Sequence, residues 1–162
     1  MNAEQRSRVT LSNPAHFLAL GAGSGLASKM PGTFGTLAAV PLVCLLLETV
    51  SLNVYLFLCL IASVAGIWIC GKTADDMGVH DDSSIVWDEV AGMMITMIAV
   101  PLSWQTMLVG FVLFRVFDIL KPWPISYLDK HVHGGFGIMA DDVLAGIAAF
   151  ASLHLLLHFG VL

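Results

Sequence analysis

Four stretches of this chain contain no Asp, Glu, Lys or Arg: residues 30–47, 49–71, 90–114 and 143–162. A helix needs about 20 mainly apolar residues to cross a bilayer, so each stretch is a candidate span, with residues 52–70 the clearest. Only 12% of the 162 residues are charged, whereas 57% are hydrophobic. Soluble domains carry roughly 25% charged residues, so lipid must cover part of this surface. The expected fold is all-α: an integral membrane bundle of about five helices, with short or tilted spans and a site at one membrane edge. At this length one domain over residues 1–162 is expected, and neither a linker nor an internal repeat divides the chain. A cleaved signal peptide is not expected, because Gly21, Gly23 and Gly25 interrupt the first apolar stretch where such a peptide needs a compact apolar core.

The third stretch contains Val100-Pro101-Leu102-Ser103-Trp104. Proline stops one helix there, and the Ser103 hydroxyl can cap the next. The stretch therefore reads as a hairpin with arms at residues 85–100 and 104–120, both short for a bilayer. The hairpin returns Arg115 and Lys121 to the side from which residue 85 enters, so that Arg6, Arg8, Lys29, Lys72, Arg115, Lys121 and Lys130 all share one face. By the positive-inside rule that face is cytoplasmic. A straight span over residues 90–114 would split these charges and part Asp88 and Glu89 from Asp118.

Net charge is -5, and ten of the twelve acids lie between Asp75 and Asp142. In the hairpin topology Asp81, Asp82, Asp88 and Glu89 precede or open one helix, Asp118 closes the next, and Asp141 and Asp142 open the last. A carboxylate at a helix start gains about 0.3–1 kcal/mol from the dipole, so capping is one reading of Asp88 and Asp141. Capping does not explain Asp118, which lies near a C-terminus. Crowded carboxylates repel each other unless a cation intervenes, and oxygen ligands with no Cys and little His favour magnesium. Solvated capping acids remain the alternative. Cys44, Cys59 and Cys70 lie in apolar stretches and read as free buried thiols outside the chemistry.

Arg115, Asp118 and Lys121 are spaced by three, so on a continued helix they share a face. Cations beside a carboxylate-bound metal suit phosphate binding; equally, Arg115 can pair with Asp118 while Lys121 snorkels to the interface. Lys121-Pro122-Trp123-Pro124 is expected to be extended and to fix the lysine at the mouth of the site. Residues 21–25, Gly-Ala-Gly-Ser-Gly, followed by Lys29 through Thr36, can hold phosphate on backbone N–H groups or simply allow close helix packing. No P-loop is present. Gly134-Gly135-Phe136-Gly137, flanked by His131 and His133, reads as a surface turn, and His154 and His158 read as packing residues.

These motifs resemble the phosphatidylglycerophosphatase A family, bacterial membrane enzymes that remove the phosphate from phosphatidylglycerophosphate. The resemblance spans about residues 12–160. It rests on the Gly-rich segment through Pro31-Gly32-Thr33, on His80-Asp81 leading to Ile85-Val86-Trp87-Asp88-Glu89, on Phe114-Arg115-Val116-Phe117-Asp118 with Lys121-Pro122-Trp123-Pro124, and on residues 134–139 followed by Asp141-Asp142. It implies a magnesium-dependent phosphatase of phosphatidylglycerol and cardiolipin synthesis in the bacterial inner membrane, its site facing the cytoplasm. A phospholipid substrate and the membrane are the expected partners, and nucleic acid is not. Asp88, Glu89, Asp118, Asp141 and Asp142 would form the catalytic, metal-binding set, joined as a metal ligand by Asp81, although Asp82 beside it leaves that choice open. Lys29, Thr33, Thr36, Arg115 and Lys121 would hold phosphate. The expected mechanism is metal-assisted hydrolysis, with a carboxylate nucleophile as the chemical alternative. A small metal-ion or proton-coupled transporter is the rival class, but it would place its acids near the midplane between repeats. A CDP-alcohol phosphotransferase would need an Asp-Gly…Ala-Arg pattern that the sequence lacks.

Overall fold

The computed structural model describes residues 3–79 and 81–162, and every regular element among them is helical. His80, half of the His-Asp pair singled out above, lies outside the described residues. Short helices α1 (Ala3–Arg8) and α2 (Pro14–Ala19) and a 3-10 segment (Gly21–Leu26) lead into α3 (Pro31–Thr49) and α4 (Leu52–Met77). A second set follows: α5 (Trp87–Thr96), α6 (Trp104–Leu120), α7 (Ile125–His131) and α8 (Gly134–His158). Helices α3, α4 and α8, with 19, 26 and 25 residues, are long and apolar enough to cross a membrane. Leu45, Phe57, Leu60, Val64, Leu108, Val112 and Leu155 point outward, a surface suited to lipid. The protein is thus a helical membrane bundle, with five longer helices and the short elements gathered mainly at one end.

Local chemistry sets the ends of these helices. Pro31 occupies the first turn of α3, where its missing N–H is not needed. Gly78 ends α4 in the left-handed conformation (φ 70°). Pro101 interrupts the hairpin as expected. Ser103 then opens α6 with a reciprocal cap, accepting from the Thr106 N–H at 3.1 Å while its own N–H donates to Thr106 Oγ1 at 3.0 Å.

Helix α5 is shorter than its expected arm. Its 10 residues rise only about 15 Å, half the hydrocarbon thickness, and residues Glu89–Thr96 are all buried among α3, α4, α6 and α8. A helix that stops inside a bundle leaves carbonyls that need donors. Tyr55 Oη on α4 donates to the Met94 carbonyl at 2.8 Å, and His154 Nε2 on α8 donates to the Ile98 carbonyl at 2.8 Å. His154 is therefore more than a packing residue.

Two further expectations are corrected. Residues 134–137 are not a surface turn: α8 begins at Gly134, so Asp141 and Asp142 lie two turns inside the helix instead of opening it. The glycines are tolerated because α8 crosses α4 closely there, and a Cβ on Gly135 would collide with the Ile67 carbonyl and the Gly71 backbone. Nor is the Lys-Pro-Trp-Pro segment extended. Lys121 ends α6 in the left-handed conformation (φ 42°, ψ 58°), and the Ile125 N–H closes a turn on the Pro122 carbonyl at 2.8 Å, leading into α7. Lys121 consequently leaves the helical face of Arg115 and Asp118.

Candidate metal and phosphate site

Glycine contacts bring the acids together. A Cβ on Gly146 of α8 would run into the Gly92 backbone of α5, and one on Gly92 would meet the Phe114 ring and the Asp142 carbonyl. The two backbones can approach this closely only because both residues are glycine. The crossing sets Glu89, one turn before Gly92, beside Asp142, one turn before Gly146. Carboxylate oxygens of Asp88, Glu89 and Asp142 lie within 4.8 Å of one another. Gly32, at the start of α3, plays the same part on another side, since a Cβ there would collide with Glu89 Oε1 and crowd the Arg115 guanidinium.

Arg115, at the C-terminal end of α6, pairs with Asp118 through Nη1, which also lies 3.6 Å from Glu89 Oε1 and 3.5 Å from Thr36 Oγ1. Lys121 Nζ bridges Asp129 on α7 and Asp141 on α8, the latter at 2.5 Å. Burial alone would lower the Lys121 pKa, but its hydrogen bonds to Asp129 and Asp141 outweigh burial and raise it, keeping the residue cationic. With these pairings made, Asp88 Oδ1, Glu89 Oε2, Asp141 Oδ1 and Asp142 Oδ2 remain buried without a hydrogen-bond partner, as does Arg115 Nε. Buried polar atoms are rarely left so. Orphaned carboxylate oxygens on acids of which three lie within 4.8 Å of one another suit a hard cation, and the orphaned N–H of a guanidinium that borders Glu89 suits an anionic oxygen. Helix capping does not account for Asp141 and Asp142, because the dipole effect falls off within the first turn.

Among the remaining expected site residues, Asp81 is exposed in the loop before α5, where its charge bears on Asp88. Its neighbour Asp82 is buried and accepts from the Ser84 N–H at 3.0 Å and the Ser84 hydroxyl at 2.6 Å, shaping that loop. Thr36 is fully buried; its hydroxyl donates to the Gly32 carbonyl at 2.9 Å and faces Arg115. Thr33 lies half-buried in the first turn of α3, and Lys29 is exposed just before it. The Gly-rich 3-10 segment packs against the loop preceding α5: a Cβ on Gly25 would strike the Ser84 carbonyl and one on Gly21 the Val86 side chain, which a Cβ on Gly35 of α3 would also meet. The three cysteines are free. Asp129 was not singled out from sequence; it lies eight residues beyond Lys121, across a turn, so no helical spacing pairs them.

Fold and site together define a helical membrane protein whose acids converge, with an arginine, at one end of the bundle. Residues 17–157 match the family described as Phosphatidylglycerophosphatase A, and the chain belongs to that family of phosphatases. It is 47% identical over 154 residues to the Phosphatidylglycerophosphatase A of Escherichia coli, covering 94% of this chain and 89% of that protein. It is 50% identical over 143 residues to the protein of that name in Haemophilus influenzae, covering 88% of each. A Bacteroides thetaiotaomicron protein provisionally named a phosphatidylinositol-3-phosphatase is 38% identical over 137 residues, covering 80% of this chain and 85% of that protein. No solved structure matches.

Proposed function

We propose that this protein hydrolyses the phosphate monoester of phosphatidylglycerophosphate, with magnesium as cofactor, in the synthesis of phosphatidylglycerol and cardiolipin. The observation that carries the proposal is that carboxylate oxygens of Asp88, Glu89 and Asp142 lie within 4.8 Å of one another, while these acids, Asp141 and Arg115 each leave a buried polar atom without a hydrogen-bond partner. Asp88, Glu89, Asp141 and Asp142 would hold the metal, while Asp118 is engaged with Arg115 and Asp81 stands at the rim. When bound, magnesium supplies Lewis-acid activation of the phosphoryl group and of water. Arg115 Nε is the donor available to a phosphoryl oxygen, and Asp118 and Thr36 hold the guanidinium in place for it. Thr36 thus acts through the arginine, while Thr33 and Lys29 lie nearer the entrance. Water contributes an oxygen to phosphorus as the ester P–O bond breaks, and the departing lipid oxygen takes up a proton to become the hydroxyl of phosphatidylglycerol.

The site lies at the end of the bundle that carries the basic residues. Arg8 packs against Gly78 at the end of α4, Lys72 pairs with Asp76 at 2.7 Å, and Arg115 and Lys121 belong to the site itself. Glu48 lines the groove at the opposite end, with Ser103 and Trp104. This asymmetry supports a bacterial inner-membrane location with the site facing the cytoplasm. A transporter reading finds less support, because the acids cluster at one end of the helices instead of midway. The test is phosphate release from phosphatidylglycerophosphate by the purified protein, with and without magnesium, beside phosphatidylinositol 3-phosphate as competitor. Release that persists in excess chelator would refute the metal mechanism.

A further inference from the structure

Lys121 carries a cationic side chain that joins the acid cluster to a carboxylate of α7. Its ammonium is shared between Asp141, whose other oxygen Oδ1 is one of the orphaned atoms, and Asp129 of α7. Asp129 is the fifth of the seven residues of α7, close to the C-terminus. A carboxylate gains nothing from the helix dipole there; Lys130 and His131 in that last turn are the residues the dipole favours. Its side chain is 38% exposed, so burial does not demand a partner for it either. What Asp129 does contact is the Lys121 ammonium, brought within reach by the left-handed end of α6 and the Pro-Trp-Pro turn.

We propose that Asp129 is a positioning residue for the phosphatase reaction, holding the Lys121 ammonium at the mouth of the site so that it meets the substrate's phosphate and does not fold in over the acids. The proposal rests on the phosphatidylglycerophosphatase reading above. An ammonium has three N–H donors; Asp129 and Asp141 take two, and the third is left for a phosphoryl oxygen. Without Asp129 the nearest stabilising partners for this cation are the orphaned oxygens of Asp141 and its neighbours, and a lysine drawn onto them would occupy the groups intended for the metal. Asp129 thus keeps the site's entrance cationic and its interior anionic.

A double-mutant cycle tests this, with steady-state hydrolysis of phosphatidylglycerophosphate measured in Asp129→Asn, Lys121→Ala and the double variant, beside thermal stability of each. Asp129→Asn should lower kcat/KM about tenfold, in the range that loss of a supporting partner gives elsewhere. Asp129→Glu should restore most of it. In the Lys121→Ala background Asp129→Asn should have no further effect, because the lysine through which it acts is gone. Equal losses in both backgrounds would mean that Asp129 merely supports α7, and would overturn the proposal; so would unchanged kcat/KM in Asp129→Asn while the wild type is active. If the wild type releases no phosphate, the functional reading fails first and takes this inference with it.

Discussion

At its C-terminal end α5 stops inside the bundle, yet the carbonyls of Met94 and Ile98 each receive a donor from a neighbouring helix, Tyr55 and His154. At its N-terminal end, Asp88 and Glu89 together with Asp141 and Asp142 leave four buried oxygens without partners. Both ends are shielded from water, so burial does not separate them. The fold satisfies its polar groups at one end of α5, and gathers unsatisfied ones at the other, where the proposed function calls for a ligand. Each end then answers differently to substitution.

The largest effect should come from the N-terminal end. Asp88→Asn and Asp142→Asn each keep the side-chain size but remove a charge that would hold the metal, and activity should fall by roughly 1,000-fold, the equivalent of several kcal/mol of lost metal assistance. Metal-free thermal stability should stay level or rise as repulsion within the cluster is relieved. Near-normal turnover in the two together would erase the contrast between the ends.

Arg115→Lys comes next. It keeps the charge but removes the Nε–H and the fork held by Asp118 and Thr36, and kcat/KM should drop on the order of 100-fold. Direct measurement of magnesium binding should reveal a much smaller change, and an equal loss of metal affinity would move Arg115 from phosphate binding to upholding the acids.

Gly146→Ala probes the crossing that serves both ends. The added methyl meets backbone atoms of Gly92, which cannot rotate away, so thermal stability should fall by about 1–3 kcal/mol and activity should fall with it. The smallest effect should follow Tyr55→Phe. It strips the donor from the Met94 carbonyl and should cost about 1 kcal/mol of stability, with kcat/KM and the magnesium requirement unchanged. A changed magnesium requirement in Tyr55→Phe would show that the two ends are coupled along α5.

Much of this was legible in the sequence because it follows from local chemistry. Long runs without charge demand lipid whatever the tertiary arrangement, and a Pro101 without an N–H must break a helix before Ser103 can cap the next one. The membrane bundle, the hairpin and the list of acids all follow from such features. Read locally, however, residues 134–137 had every mark of a turn, and only their packing against α4 explains a helix that carries Asp141 and Asp142 well inside it. Residues 121–124 were misread for a related reason: proline limits φ but is compatible with both an extended segment and a turn, and the contacts beyond it decide which.

The sequence by itself determined which groups are present and that lipid must cover part of a helical bundle, since composition and covalent geometry act residue by residue. The tertiary structure decided which of them are engaged. Thr36 turns inward to Arg115, Asp82 is occupied by Ser84, Lys121 is shared with Asp129, and four oxygens are left over. Hydrogen bonds act only over about 3 Å, so these pairings depend on how closely the helices can approach, and glycine crossings between residues far apart in the chain set that approach.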